Sequence, residues 1–501
     1  MSATSPAEPS PNDALREPPR SLWTAFRQIG PGLILAGSIV GTGELINTTG
    51  LGAKEGYTLL WLILFSCVIK VFVQVELGRY AITHGKTTLA ALDSLPGPRL
   101  GTSWLSWLWL FMMLATQAQI AAMEGLVGQA AVMAFPGATE SVASSFGSLR
   151  PDWGGYLREH GEYFWAGVTA LAAILLLISG GYKRLEHVTT FLVAMVTAIT
   201  VACVVALPWT DYPIDAGQMA DGLRFALPAG GMALAFSTFG ITGVGASELF
   251  TYPYWCIEKG YARYVGPRSP DEGWVDRARG WLKVMQLDAW FSMIVFTVAT
   301  VAFYILGAAV LKPQGLVPQG AGMLETLSLM YVKPLGEWTR IVFLIGAWAV
   351  LFKTLYVATA GNSRLTADFL QQGGFWKTSG EAGHDRVVRF FCILYPLLAF
   401  VLYVLIREPK NLVKVGGYAQ GLMLPLIAGA SLYLSRRDRD PRVEPSIVTK
   451  LLVLFAFLSI TAVALYSSGS ELVDAVRGGN PPAAVAPAAP AEGEARGPES
   501  S

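Results

Sequence analysis

Two stretches of the sequence place glycines and a carboxylate inside apolar segments: "GSIVGTGELINTTG", residues 37–50, and "GITGVGASELFTYP", residues 240–253. Both contain a glycine, two small residues, a glutamate, a leucine and an apolar residue in that order, at 41–46 and 245–250. Glycine weakens a helix, and a carboxylate is costly within a bilayer unless it is paired or hydrated. The pattern therefore predicts two helices that are interrupted inside a membrane, next to a polar site.

The composition is that of a membrane protein. Of the 501 residues, 53% are hydrophobic and 15% are charged, whereas soluble domains carry about 25% charged residues. Apolar runs recur that are long enough to cross a bilayer as helices. We predict an all-α polytopic membrane protein with eleven spans, at 29–52, 57–82, 103–135, 162–181, 187–208, 229–256, 285–311, 338–361, 386–406, 412–436 and 446–468.

The distribution of charge indicates the orientation of the chain. Lys and Arg cluster at 182–184, 258–283 and 435–442, which become inside loops if the N-terminus is cytoplasmic. An odd number of spans then puts the C-terminus outside. The localisation expected is the plasma membrane, which in a bacterium is the inner membrane.

The spans divide into two halves of five, 29–208 and 229–436, and the two halves begin with the two interrupted spans. An odd number of spans in each half gives the halves opposite directions in the membrane, which is an inverted repeat. The transporter domain covers 29–468 and includes the extra span 446–468. The polar ends, 1–28 and 469–501, are expected to be disordered tails without a cleaved signal peptide.

Matching interruptions in the halves of an inverted repeat indicate a binding site. Carbonyl groups released at a helix break attract cations, and carboxylates are strong ligands for hard metal ions. Glu44 and Glu248 are therefore the predicted metal ligands, although glycines in membrane helices can also serve packing alone. The substrate site is expected at six residues, Gly41, Thr42, Glu44, Gly243, Ser247 and Glu248.

Two further charges lie within spans. Lys70, in the middle of span 2, needs a carboxylate partner, and pairing with Glu76 or another acid is favoured over a position beside the site. In the second case its ammonium would stand in for a metal or coupling ion. Glu124, in span 3, is interpreted as a proton carrier or as a hydrogen-bonded packing carboxyl.

The order of several motifs resembles the Nramp (natural resistance-associated macrophage protein) family. Gly30-Pro31, "GTGE" at 41–44, Gly56-Tyr57 and "LGRYAITHGKTTLA" at 77–90 have the spacing of that family's first two spans. Glu124 stands where the family has a glutamate, and Asp288 opens span 7 as a family aspartate does. The resemblance implies a LeuT-type fold, a divalent cation bound where spans 1 and 6 meet, proton symport, and a monomer.

The chain departs from the family pattern at the site itself. The family has a metal-binding Asp where this chain has Gly41, an Asn where it has Glu44, and Met-Pro-His where it has 247–249. Without the methionine the site should contain only oxygen ligands, which suit Mg²⁺, Ca²⁺ or Mn²⁺.

We therefore expect a secondary active transporter of a hard divalent cation such as Mg²⁺ or Mn²⁺, with proton coupling undecided. A LeuT-fold transporter of a small organic solute such as an amino acid, and a sensor or channel-like protein, remain alternatives. No enzyme motif, nucleic-acid-binding patch or cofactor other than the transported cation is expected. The four cysteines should be buried, and the four histidines map to loops or span ends.

Overall fold

A computed structural model of the chain describes residues 15–41, 43–179, 182–227, 232–320, 322–376, 380–437 and 440–476. Thr42 and the outer parts of both tails, 1–14 and 477–501, lie outside the described residues. Nearly everything described is helical. The helices and a pair of short strands are Leu22–Phe26, Pro31–Ile39, Gly43–Thr48, Thr49–Glu55, Leu60–His84, Thr88–Asp93, β-strands Arg99–Leu100 and Thr102–Ser103, Trp104–Ala134, Pro136–Leu149, Pro151–Glu159, Gly161–Ser179, Tyr182–Ala206, Leu207–Trp209, Ala216–Asp221, Met232–Ile241, Ala246–Glu258, Tyr261–Val265, Glu272–Leu306, Gly307–Leu311, Lys312–Gln314, Met323–Leu335, Trp338–Gln372, Gly380–Ile406, Pro409–Arg437, Pro441–Val443 and Ile447–Val476.

Ten helical segments in the described parts of the chain are long and apolar enough to cross a membrane. The interrupted first span, which is cut into pieces too short to cross singly, is the eleventh. The polytopic all-α architecture predicted from the sequence is confirmed. In chain order spans 2 to 11 are Leu60–His84, Trp104–Ala134, Gly161–Ser179, Tyr182–Ala206, Met232–Glu258, Glu272–Leu306, Trp338–Gln372, Gly380–Ile406, Pro409–Arg437 and Ile447–Val476.

The two interrupted spans are broken at the expected positions. Half-helix 1a, Pro31–Ile39, is followed by a wide π-helical turn, Gly43–Thr48, and then by half-helix 1b, Thr49–Glu55. Four residues separate half-helix 6a, Met232–Ile241, from half-helix 6b, Ala246–Glu258. Helix-breaking residues are tolerated at membrane depth only where protein or a polar cavity surrounds the backbone, and both breaks are buried.

The broken spans lie at the centre of the bundle. Span 3 packs along span 10, and span 10 packs along half-helix 6a. The approach of the last pair is close, because a side chain at Gly240 would lie 2.1 Å from the Gly417 carbonyl oxygen. Spans 4, 5, 9 and 11 have only between 22% and 33% of their residues buried and present apolar side chains such as Leu171 and Leu458 outward. Such a surface is the one expected to face lipid.

Several boundaries differ from those predicted. The sequence predicts a disordered segment over 1–28, whereas residues 15–28 contain the helix Leu22–Phe26, and Trp281 donates a hydrogen bond to the Arg16 carbonyl. Span 7 begins at Glu272 rather than 285, so Asp288 lies four turns inside the helix instead of opening it. The last helix continues to Val476 rather than ending at 468. Polar residues at helix ends conceal the continuation of a helix beyond the membrane, which accounts for the differences at spans 7 and 11.

Candidate functional site

Glu44 joins the two breaks. Its side chain is fully buried in the π-helical turn of span 1. One carboxylate oxygen accepts a hydrogen bond from the Gly41 amide (3.4 Å), and the other accepts from the Gly243 amide (3.3 Å) and from the Thr300 hydroxyl in span 7 (3.3 Å). Since Gly41 and Gly243 belong to the two different breaks, this carboxylate holds them against each other.

Gly243 occupies a position that favours glycine. Its φ is +66°, in the left-handed region, and a Cβ there would lie 3.1 Å from the Cα of Cys67 in span 2. Glycine adopts such a φ without steric cost. The turn directs the Gly243 amide away from half-helix 6a and toward Glu44.

The carbonyls at the end of half-helix 6a are satisfied from span 2. The Lys70 ammonium donates to the carbonyl oxygens of Phe239 (2.7 Å) and Thr242 (2.5 Å). The hydroxyl of Ser66, one turn earlier, donates to the same two oxygens at 3.3 and 3.2 Å. Lys70 therefore lies at the break of span 6.

Half-helix 6b begins with the second carboxylate. Glu248 lies in its first turn, where the positive end of the helix dipole favours an anion. One of its carboxylate oxygens is buried and has no hydrogen-bond donor against it among the described residues. The adjacent Ser247 amide donates to the Gln420 side chain (3.0 Å), which donates in turn to Gln119 in span 3 (2.8 Å). Spans 3, 6 and 10 are thus linked next to this carboxylate.

A small cavity of about 70 Å³ lies against these groups. Its lining is mostly oxygen-bearing or apolar, but it includes the thioether of Met123 in span 3. The lining residues are Ile39, Gly43, Thr116, Gln119, Ile120, Met123, Ile241, Ser247, Glu248, Thr251, Trp255, Thr354, Val357, Ala358, Asn362 and Gln420. The expectation that only oxygen atoms bind the cation stays a prediction, with Met123 as a sulfur atom within the same lining.

The cavity adjoins a wider one on the side of the membrane where the chain begins. This second cavity, of about 560 Å³, shares Trp255 and Val357 with the small one and is lined by charged groups such as Arg364, Asp385 and Arg389. We call it the vestibule. A third cavity, at the opposite side, shares no lining residue with the small cavity. Between them half-helix 1b packs closely on span 7, since a side chain at Gly52 would collide with the Tyr304 carbonyl. The site is therefore reached from the vestibule.

The remaining predicted charges lie away from the cavity lining. Glu76 forms an ion pair with Arg79, one turn along span 2, so the favoured pairing of Glu76 with Lys70 is wrong. The physical reason is that the end of half-helix 6a, which is distant in sequence, offers Lys70 two carbonyls.

Asp288 and Glu124 each have a different environment. Asp288 accepts hydrogen bonds from the amides of Gly30 (2.9 Å) and Gly32 (2.5 Å) at the start of half-helix 1a, and from the Tyr252 hydroxyl (3.4 Å). It acts as a cap on that half-helix. Glu124 is fully buried, and neither of its carboxyl oxygens has a hydrogen-bond partner in the described part of the chain.

The described residues contain no group of three or more His, Cys, Asp and Glu side chains that could hold a metal ion. A cation bound here would have to add hydroxyl, amide, carbonyl or water oxygens to the carboxylates. Sequence reasoning missed Gln119, Gln420, Thr300 and Met123 as site residues. The two glutamines carry a signal, because an amide within an apolar span needs a partner, whereas the threonine and methionine carry none.

Comparison with known proteins supports the same architecture. The sequence profile of the natural resistance-associated macrophage protein-like (Nramp) family matches residues 32–469. Comparison with curated protein sequences gave no match.

Among solved structures, a manganese transporter of Eremococcus coleocola is similar with a TM-score of 0.63 and 15% identity, covering 93% of this chain and 91% of that one. MhsT in complex with L-phenylalanine has a TM-score of 0.50 and 16% identity over 91% and 99% of the two chains. The inward-facing form of Mhp1 has a TM-score of 0.50 and 14% identity over 94% and 95%. With broken spans 1 and 6 at its centre and a family match over most of its length, the chain belongs to the Nramp family and has the LeuT-type fold.

Proposed function

We propose that this protein is a secondary active transporter of a divalent metal cation, which binds at the breaks of spans 1 and 6. One observation carries the proposal. Glu248 presents a buried carboxylate oxygen without a hydrogen-bond donor among the described residues, in a small cavity next to a second glutamate, Glu44. A buried carboxylate is costly without a counter-charge, and a bound cation supplies one.

The oxygen atoms that line the cavity suit a hard cation as ligands. Besides Glu248, the cavity lining offers the hydroxyls of Thr116 and Ser247 and the amide oxygen of Asn362. Oxygen ligands of this kind are preferred by Mg²⁺ and Mn²⁺. The Met123 thioether adds one softer donor, which favours Mn²⁺ over Mg²⁺ if it reaches the ion.

The size of the cavity argues against the organic-solute alternative. Pockets for small organic ligands commonly measure about 300–1,000 Å³, whereas the cavity at the breaks measures about 70 Å³. That volume suits an ion with one or two waters.

The direction of access and the membrane follow from charge. Lys and Arg clusters at 182–184, 258–283 and 435–442 favour a cytoplasmic N-terminus in a plasma membrane. The vestibule then opens to the cytoplasm, as in an inward-facing state. Glu124 is our candidate for proton coupling, because it is a buried carboxyl without a hydrogen-bond partner in the described chain.

Ligand-dependent stabilisation of the purified protein tests the cargo. A ligand that binds only the folded state raises the melting temperature in proportion to ln(1 + [L]/Kd), so Mg²⁺ and Mn²⁺ should raise it while an amino-acid mixture should not. Glu248→Gln should abolish the shift and the uptake of metal into proteoliposomes. Glu140→Gln, at an exposed carboxylate of the Pro136–Leu149 helix, is the matched control and should behave as the wild type.

Two further measurements distinguish Mn²⁺ from Mg²⁺ as the cargo, and a transporter from a channel or a sensor. Met123→Leu should weaken the response to Mn²⁺ and leave the response to Mg²⁺ unchanged if the thioether is a ligand. Accumulation of metal against its gradient distinguishes a transporter from a channel or a sensor. The proposal would be abandoned if amino acids, but neither metal, stabilised the protein, or if Glu248→Gln transported metal at the wild-type rate.

A further inference from the structure

The contacts of Lys70 resemble the coordination of a bound cation. The side chain is fully buried, and its ammonium contacts two backbone carbonyl oxygens at 2.7 and 2.5 Å. The ring of Phe239 faces the ammonium at 5.1 Å from its centroid. Among the described residues no carboxylate lies within 4.0 Å of it. Lys70 is thus held by carbonyls and a ring face rather than by an ion pair.

The break of span 6 explains why those carbonyls are free. In a continuous helix the Phe239 carbonyl would accept a hydrogen bond from the Gly243 amide, but that amide donates to Glu44. The Thr242 carbonyl would accept from Ala246, which begins half-helix 6b instead. Half-helix 6a therefore ends in carbonyls that have no partner within the helix, at the negative end of its dipole. Such an end is where discontinuous helices of transporters coordinate monovalent cations.

Lys70 also contributes to the charge of the substrate site. Glu44 and Glu248 both lie close enough to interact electrostatically with its ammonium. When both carboxylates are ionised the site carries a charge of −2, and a charged Lys70 reduces it to −1. A divalent cation bound in that state leaves a net charge of +1 rather than a neutral site, which weakens its binding and eases its release.

We propose that Lys70 is a tethered counter-cation that permanently fills a monovalent-cation site formed by the Phe239 and Thr242 carbonyls. The wild-type protein consequently neither binds nor needs an inorganic monovalent ion at this position. Removal of the lysine side chain empties the site while its oxygen ligands and the donating Ser66 hydroxyl stay in place. The vacated space then accepts Na⁺ or a small alkylammonium ion.

The test compares melting temperatures of purified full-length protein in NaCl, methylammonium chloride and choline chloride at equal ionic strength. The wild type should melt at the same temperature in all three. Lys70→Ala should melt lower in choline and recover by about 2 °C or more in sodium or methylammonium, as expected for a ligand that binds only the folded state. Lys70→Arg, which keeps the charge, should show no recovery.

Lys353→Met is the matched control, because Lys353 is a second buried lysine whose ammonium bonds the Thr190 hydroxyl (3.0 Å) in the vestibule. It should show no sodium response. If Lys70→Ala does not fold, Lys70→Ser, whose side chain is also short and leaves the position of the ammonium empty, takes its place.

Two results would overturn the proposal: a folded Lys70→Ala protein that responds to no monovalent cation, or a wild-type protein that sodium itself stabilises relative to choline. Titrations with Mg²⁺ and Mn²⁺ in the same buffers test the proposed metal cargo separately. If neither metal stabilised the protein but sodium stabilised Lys70→Ala, the proposed cargo would be refuted and the proposed role of Lys70 would stand.

Discussion

Replacement of Asp288 by asparagine should release half-helix 1a. The Asp288 carboxylate accepts hydrogen bonds from the Gly30 and Gly32 amides at the N-terminus of this half-helix. Half-helix 1a also lines the vestibule through Ile34. In Asp288→Asn the new side chain would keep one acceptor oxygen and turn an NH₂ group toward the other amide. Asp288 therefore stabilises the position of half-helix 1a, which forms one side of the vestibule.

The magnitude follows from these contacts. A hydrogen bond to a charged group contributes about 1.5–3 kcal/mol, and a negative charge at a helix N-terminus contributes about 0.3–1 kcal/mol. Loss of one bond and of the charge should cost about 2–4 kcal/mol. Because every 1.4 kcal/mol corresponds to a factor of ten, the open population of half-helix 1a should rise about 30- to 700-fold.

Hydrogen exchange measured by mass spectrometry detects this population directly, because local opening limits the exchange of protected amides. Amides of residues 34–39 should exchange about 30- to 700-fold faster in Asp288→Asn, while those of span 3, Trp104–Ala134, keep the wild-type rate. Asp276→Asn, an exposed position on the same helix, is the control. Unchanged exchange at 34–39, or an equal increase throughout the protein, would refute the capping role.

Three other substitutions test separate parts of the structure. Glu124→Gln should keep the metal-induced rise in melting temperature but lose metal accumulation driven by a pH gradient in proteoliposomes. Gly243→Ala should destabilise the protein by about 1–3 kcal/mol, because alanine is strained at a φ of +66°, whereas Gly50→Ala, in a helix with open space around it, should be neutral or stabilising. Hydrogen bonds from Arg442 and the charges of Arg442 and Arg268 lower the pKa of Asp440 to about 2. The ionised Asp440 contributes about 1 kcal/mol to stability after screening. This contribution is present above the unfolded-state pKa of about 4 and is lost as the pH falls toward 2. The difference in melting temperature between wild type and Asp440→Asn should therefore be constant from pH 8 to 5 and narrow below about pH 4.

Each of these has a contrary outcome. Proton-driven accumulation at the wild-type rate in Glu124→Gln would remove that carboxyl from the coupling route. Equal stability of the two glycine variants would mean that the backbone at the second break relaxes without strain. A difference for Asp440→Asn that widens on acidification would contradict the assigned direction of its pKa.

Much of the architecture is determined locally. Long apolar runs specify membrane helices whatever their neighbours, because each backbone polar group must be bonded within its own segment. The two glycine- and glutamate-bearing stretches specify the breaks, because glycine lowers helix stability at those residues themselves. The repeated order of residues at 41–46 and 245–250 was therefore enough to predict where both helices stop.

The partners across the breaks could not be predicted in this way. Lys70 and Glu76 are neighbours on one span, and a local argument pairs them, yet Glu76 bonds Arg79 and Lys70 bonds carbonyls about 170 residues away. Likewise Asp288 caps a half-helix that lies more than 250 residues earlier in the chain.

The sequence alone determined the class of the fold, the number of spans and the location of the two breaks, since these depend on hydrophobicity and helix propensity along the chain. Only the tertiary structure decided which side chains meet at the breaks: that Glu44 bridges both, that Gln119, Gln420 and Met123 face Glu248, and that Lys70 caps half-helix 6a. Contacts of that kind depend on how helices rotate and approach one another. The energy of packing, summed over the whole bundle, sets that arrangement, and no single segment contains it.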